Sequence, residues 1–132
     1  MEYKLTDSPI FIKDLFSFLE KDYEFKIIEE DVDNSGALFI YQNENGKVSL
    51  CYDYRNNEFS VSLVKGKDTA YPDDDEYWKK IKPLESLIEK YDLSFETKKL
   101  QPSGKHYLEA LKLNAELLKK YGDKVLKGKE WF

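Results

Sequence analysis

Three short polar breaks do most to limit what this chain can become. They are the run Asp31-Val32-Asp33-Asn34-Ser35-Gly36, the dipeptide Asn45-Gly46, and Arg55-Asn56-Asn57. Between them lie stretches with the two-residue period of a half-buried strand. Val48, Leu50, Tyr52 and Tyr54 alternate with Lys47, Ser49, Cys51 and Asp53, and Phe59, Val61 and Leu63 alternate with Ser60 and Ser62. Turns this short join only antiparallel neighbours. Asn-Gly also tolerates positive φ at both central positions of a tight hairpin. The pattern predicts a four-stranded meander with strands at Phe25–Glu30, Ala37–Gln42, Lys47–Tyr54 and Phe59–Leu63.

The flanks read as helix. Ser8 before Pro9 is a hydroxyl N-cap followed by a residue whose missing N–H costs nothing, and Phe11, Ile12, Leu15, Phe16 and Leu19 form one helical face, predicting a helix over 9–21. After a loop at 65–72, Asp73 and Glu76 have capping-box spacing. Tyr77, Ile81, Leu84, Ile88 and Tyr91 keep helical phase through Pro83, as one kinked helix over 74–91 or two short ones. Leu93–Lys98 reads as a short edge strand. Ser103 caps a last helix over 104–121, Gly122 stops it, and Asp123–Leu126 adds a turn. The expectation is a single α+β domain over 1–132: an N-terminal helix, a four-stranded antiparallel meander, and two to three C-terminal helices on one sheet face. A chain of 132 residues buries roughly two-thirds of its unfolded surface.

Charge is uneven. The net value is −5, but the first 78 residues hold 8 basic and 18 acidic side chains and the rest hold 13 and 8. Such a balance disfavours nucleic acid, which wants a positive groove or stripe, and an acidic face attracts a basic partner at long range. Cys51 is the only cysteine, so no internal disulfide forms, and the longest apolar run, Ala37–Tyr41, is far short of a membrane span. Met1–Lys13 lacks the basic and apolar regions of a signal peptide. These features predict a cytoplasmic protein without a membrane partner.

Few residues suggest chemistry. Asp31-x-Asp33-x-Ser35-Gly36 opens like a calcium loop, but the twelfth position is Gln42 where a bidentate Glu belongs, and a polar β-turn explains the same letters. His106 is the sole histidine, which rules out a multi-histidine metal site. Cys51 has no base nearby in sequence to activate it, and no glycine-rich phosphate loop is present. No metal, cofactor or catalytic residue is therefore assigned. Two acidic clusters stand out: Glu29, Glu30, Asp31 and Asp33, and Asp73, Asp74, Asp75 and Glu76. The second suits a helix N-terminus, where the macrodipole favours carboxylates. With Val48, Leu50 and Tyr52 facing the helices, Phe39 and Tyr41 are expected on the opposite face with Cys51, Ser60 and Ser62, either covered by the second helix or Trp131-Phe132 or left open as an interaction surface. Asn114 interrupts the apolar stripe of the last helix and should hydrogen-bond a loop backbone. Trp131-Phe132 should dock back on the domain.

The segment Asn114-Ala115-Glu116-Leu117-Leu118-Lys119-Lys120-Tyr121-Gly122-Asp123-Lys124-Val125-Leu126-Lys127-Gly128 resembles the closing segment of many small, uncharacterised bacterial α+β proteins, some of which resemble immunity proteins of bacterial toxin systems. The resemblance implies an immunity- or antitoxin-like protein, and the acidic charge with the missing catalytic groups favours a non-enzymatic module that binds a basic partner. The resemblance transfers no binding residue. The acidic clusters with Phe39 and Tyr41 are the partner-binding candidates. The competing expectation is a small hydrolase or ligand-binding enzyme using clustered carboxylates and tyrosines.

Overall fold

Alternating side chains separated by tight turns can bury one sheet face only if consecutive strands pair in order, and they do. A computed structural model describes residues 7–66, 80–102 and 107–131. Strands β1 (Lys26–Val32), β2 (Gly36–Gln42), β3 (Gly46–Asp53), β4 (Glu58–Lys65) and β5 (Ile81–Pro83) form one antiparallel sheet in the order β1-β2-β3-β4-β5. The meander is thus as expected, with a fifth strand added. Helices α1 (Ser8–Leu15), α2 (Phe18–Tyr23), α3 (Leu84–Tyr91), α4 (Tyr107–Tyr121) and α5 (Asp123–Leu126) accompany it. Ile12, Phe16 and Leu19 from the first helical pair, Leu84, Leu87 and Ile88 from α3, and Leu111 and Leu118 from α4 share one core with Phe39, Leu50, Tyr52 and Val61 of the sheet. The fold is α+β, with helices on one sheet face.

The three hairpins use a common device. A side-chain oxygen at the end of one strand accepts backbone N–H groups of the turn, a role for which Asn and Asp are suited. Asp33 Oδ1 takes Ser35 N and Gly36 N at 2.7 and 3.1 Å, Asn43 Oδ1 takes Asn45 N and Gly46 N at 2.8 and 3.1 Å, and Asp53 Oδ1 takes Arg55 N at 3.0 Å. Neither Asn45 nor Gly46 has positive φ, contrary to the hairpin geometry expected of Asn-Gly. Gly46 is required for space: a Cβ there would lie 2.1 Å from the Val64 carbonyl oxygen. Only the third hairpin uses the left-handed region, at Asn57 with φ of 53°.

Other boundaries moved for identifiable reasons. The helix expected over 9–21 breaks at Phe16-Ser17, where Ser17 N and Leu19 N bond the carbonyls three residues back, Asp14 and Phe16. This tighter turn brings Phe16 and Phe18 into the same core, which an unbroken α-helix would set about 200° apart. Ser8 is the first helical residue after the N-cap position Asp7. Fully buried, its hydroxyl pairs with Tyr54 Oη at 2.9 Å. Residues 81–83 are strand instead of helix, because Pro83 holds Lys82 extended and Ile81 pairs with Val64. The strand expected at Leu93–Lys98 is replaced by a turn capped by Asp92 and a 3-10 turn at Thr97–Leu100. The capping residues Asp73, Glu76 and Ser103, and Tyr77, His106 and Phe132, lie outside the described residues.

The β4 edge of the sheet is sealed. β5 covers Ser62 to Val64, and beyond it the Gln101 side-chain amide accepts from Phe59 N at 3.0 Å and donates to Phe59 O at 3.1 Å. A single side chain thus supplies what a neighbouring strand would. β1, at the other edge, has no such cover among the described residues.

Candidate functional site: an acidic edge strand

β1 carries the sequence Lys-Ile-Ile-Glu-Glu-Asp-Val, and every residue except Ile27 is exposed. Its pairing with β2 runs Ile27↔Tyr41, then Glu29↔Ile40, Glu30↔Phe39, Asp31↔Leu38 and Val32↔Ala37, so Ile28 is the extra residue of a β-bulge. Two adjacent isoleucines cannot both face one side of a regular strand. The bulge resolves this by leaving Ile28 outside, 53% exposed.

The acids of the first cluster fall on both faces. Glu30 is on the helix side, where Lys13 of α1 meets it at 2.7 Å. Glu29 and Asp31 stand side by side on the open face, about 7 Å apart along the strand, with no ion-pair partner among the described residues. Asp33 is in the following turn. Its carboxylate is held below the usual range, first by the Ser35 hydroxyl and then by the Ser35 backbone N–H. Asp53 is held low chiefly by the Asn56 side chain. Asp33 is exposed and Asp53 half-buried, and these hydrogen bonds favour the charged form of each. With Asp31, Leu38, Cys51 and Arg55 they border a shallow depression of about 470 Å³. Asp33 Oδ1 accepts three bonds within its own turn, the polar-turn reading of the calcium-like letters, and no group of three potential metal ligands occurs among the described residues. Burial and then Asp53 push the Cys51 thiol up, away from a reactive thiolate.

Phe39 and Tyr41 are not on the interaction face. Phe39 pairs with Leu50 and Tyr41 with Val48, and directly opposed residues of antiparallel strands share a face. Both are fully buried beneath the helices, with the Lys13 ammonium 5.9 Å from the centre of the Phe39 ring. The open face carries Leu38 and Ile40 instead, partly buried, beside Ser49, Cys51, Ser60 and Ser62. The second acidic cluster, Asp73 to Glu76, lies outside the described residues.

The Tyr41 hydroxyl is buried without a hydrogen-bond partner among the described residues, and burial raises its pKa, aided by Glu20 and Glu30. An orphaned buried hydroxyl costs stability, whereas an apolar group of the same shape does not. Tyr41→Phe is therefore expected to raise folding stability by about 1 kcal/mol. Urea unfolding checks this, and a clear loss of stability would show that the hydroxyl is bonded after all.

Ile28 and Val32 are the site residues missed by the sequence reading. The Ile27-Ile28 doublet, which breaks strand alternation, was the available signal for the first. No family model, curated protein or solved structure matches the chain.

Proposed function

We propose that the protein is a non-enzymatic binding module that engages a basic protein partner through the acidic β1 side of its sheet, in the manner of an immunity or antitoxin partner of a basic toxin. One observation carries this reading: Glu29 and Asp31 share an exposed face at a sheet edge that no described residue covers, unneutralised by any described cation. Asp33 and Asp53 extend the same negative region. Some C-terminal cations are neutralised locally, through Lys90–Glu130, Lys124–Glu130 and Lys127–Asp123. Every described carboxylate with a shifted titration moves down. A lowered pKa favours the charged form, whereas a general acid needs the opposite shift.

Charge reversal tests the reading. With a small basic ribonuclease as probe at ~20 mM salt, Glu29→Lys combined with Asp31→Lys should weaken association by about tenfold or more. Reversing Glu89 and Glu116, exposed on α3 and α4, makes the same change in net charge and should have a much smaller effect. Equal losses from the two pairs would show that only net charge matters and that β1 is no site.

A further inference from the structure

We infer that β1 is a strand-addition site, taking an extended cationic segment of its partner as a sixth strand of the sheet. The inference rests on the proposed acidic binding surface and adds to it the geometry of capture and the chemistry of what is captured.

Backbone direction follows from the hairpin. Asp33 N bonds Gly36 O at 3.0 Å, so that N–H points toward β2. Along an antiparallel pair the inward-pointing residues alternate. Asp31 and Glu29 therefore turn their N–H and C=O groups in to Leu38 and Ile40, their register partners. Glu30 and Val32 turn theirs outward, to the uncovered edge. Two donors and two acceptors at alternating spacing are what an added strand requires.

The two edges of this sheet differ sharply. Long exposed edge strands are templates for pairing, and proteins ordinarily blunt them by shortness, proline or cover. The β5 edge has the first two, with three residues ending in Pro83, and Gln101 closes what β5 leaves. β1 is seven residues long and contains no proline.

Charge selects the occupant. A second copy of this chain is the wrong partner, because β1 against β1 would bring Glu29, Glu30 and Asp31 of each chain to the same seam, and like charges across strands repel. A strand bearing Lys or Arg meets Glu29 and Asp31 on the open face. Ile28 and Val32, 53% and 46% exposed, offer apolar contact at the two ends of the acidic run. The occupant is thus an extended segment in which basic residues alternate with β-branched ones. The acids that keep copies apart admit this partner.

The test uses the full chain and a seven-residue peptide of alternating lysine and valine, with a counterpart methylated on every backbone nitrogen. The counterpart keeps its charges but cannot donate hydrogen bonds from its backbone. Fluorescence anisotropy at low salt should show the parent peptide binding and the methylated one weaker by about tenfold or more. The Glu29→Lys/Asp31→Lys chain should lose the parent peptide as well. Equal binding of the two peptides would overturn strand addition while leaving the acidic-surface reading intact. No binding of the parent peptide would also overturn it, and the ribonuclease measurement then decides separately whether the acidic surface binds at all. Dimerisation through β1, seen by sedimentation and abolished by Glu29→Lys/Asp31→Lys, would make a second copy the occupant and overturn the inference in that way.

Discussion

Replacing Phe39 by alanine is expected to cost about 3–5 kcal/mol of folding stability, lowering the melting temperature by roughly 10–20 °C in a chain of this size. The ring is fully buried, pairs across strands with Leu50, and belongs to the same core as Phe16, Phe59 and Leu118. Its removal leaves a cavity between α1 and the sheet that the neighbouring helix cannot fill without moving. Leu38, one residue earlier and on the other face, is only partly buried, and Leu38→Ala should cost about 1 kcal/mol. The contrast between adjacent positions measures the register of β2 directly. Similar costs at both would mean that the strand faces are not as described. Phe39→Ala is also expected to leave the affinity of the still-folded protein for a cationic partner essentially unchanged, because the ring is not at the surface.

Asn114→Ala is expected to cost about 2–4 kcal/mol. Asn114 is 1% exposed, and its Nδ2 donates to Leu100 O at 2.9 Å and Ala110 O at 2.8 Å. The Ala110 carbonyl belongs to the preceding helical turn. Leu100 is fully buried and ends the 3-10 turn that leads back to α4. Without the amide, its carbonyl has lost this donor in a dry interior. Asn114→Asp should be worse at neutral pH, since an ionised carboxylate would face two carbonyl oxygens. Burial raises the pKa of such a carboxyl in the folded state. Its protonated form can donate, so part of the lost stability should return as pH falls and disappear again as pH rises through the raised pKa. Urea titrations at neutral and acid pH check both statements. A pH-independent cost for Asn114→Asp would mean that the amide donates to neither carbonyl.

The meander was legible because its signals are local. Alternation over Val48–Tyr52 and Phe59–Leu63 and three Asx-rich turns leave one arrangement, and no distant contact competes with it. Asn114 was legible for a related reason: a polar residue on an apolar helical stripe must find partners. The face of Phe39 and Tyr41 was not legible. Side-chain parity within one strand is visible in sequence, but its relation to the next strand depends on the turn. Here Asn43 caps its own hairpin and sets Gln42 opposite Lys47. The break at Phe16-Ser17 was hidden because Ile12, Phe16 and Leu19 keep helical phase through it. Residues 81–83 read as helix from spacing alone, and only the free edge of β4 makes them strand. For the candidate site, the acids of β1 were legible as a cluster. Their separation by face, the bulge at Ile28 and the outward backbone of Glu30 and Val32 depend on pairing with β2, which composition does not encode.

The most direct measurement is an amide-resolved NMR titration of the labelled protein with the alternating lysine–valine peptide at low salt. The account predicts that the largest shift changes fall on residues 28–33, with the Glu30 and Val32 amides gaining protection from solvent exchange as the peptide is added. Shifts concentrated on α3 and α4, around the stacked Tyr91 and Tyr121 rings, with β1 unmoved, would contradict it.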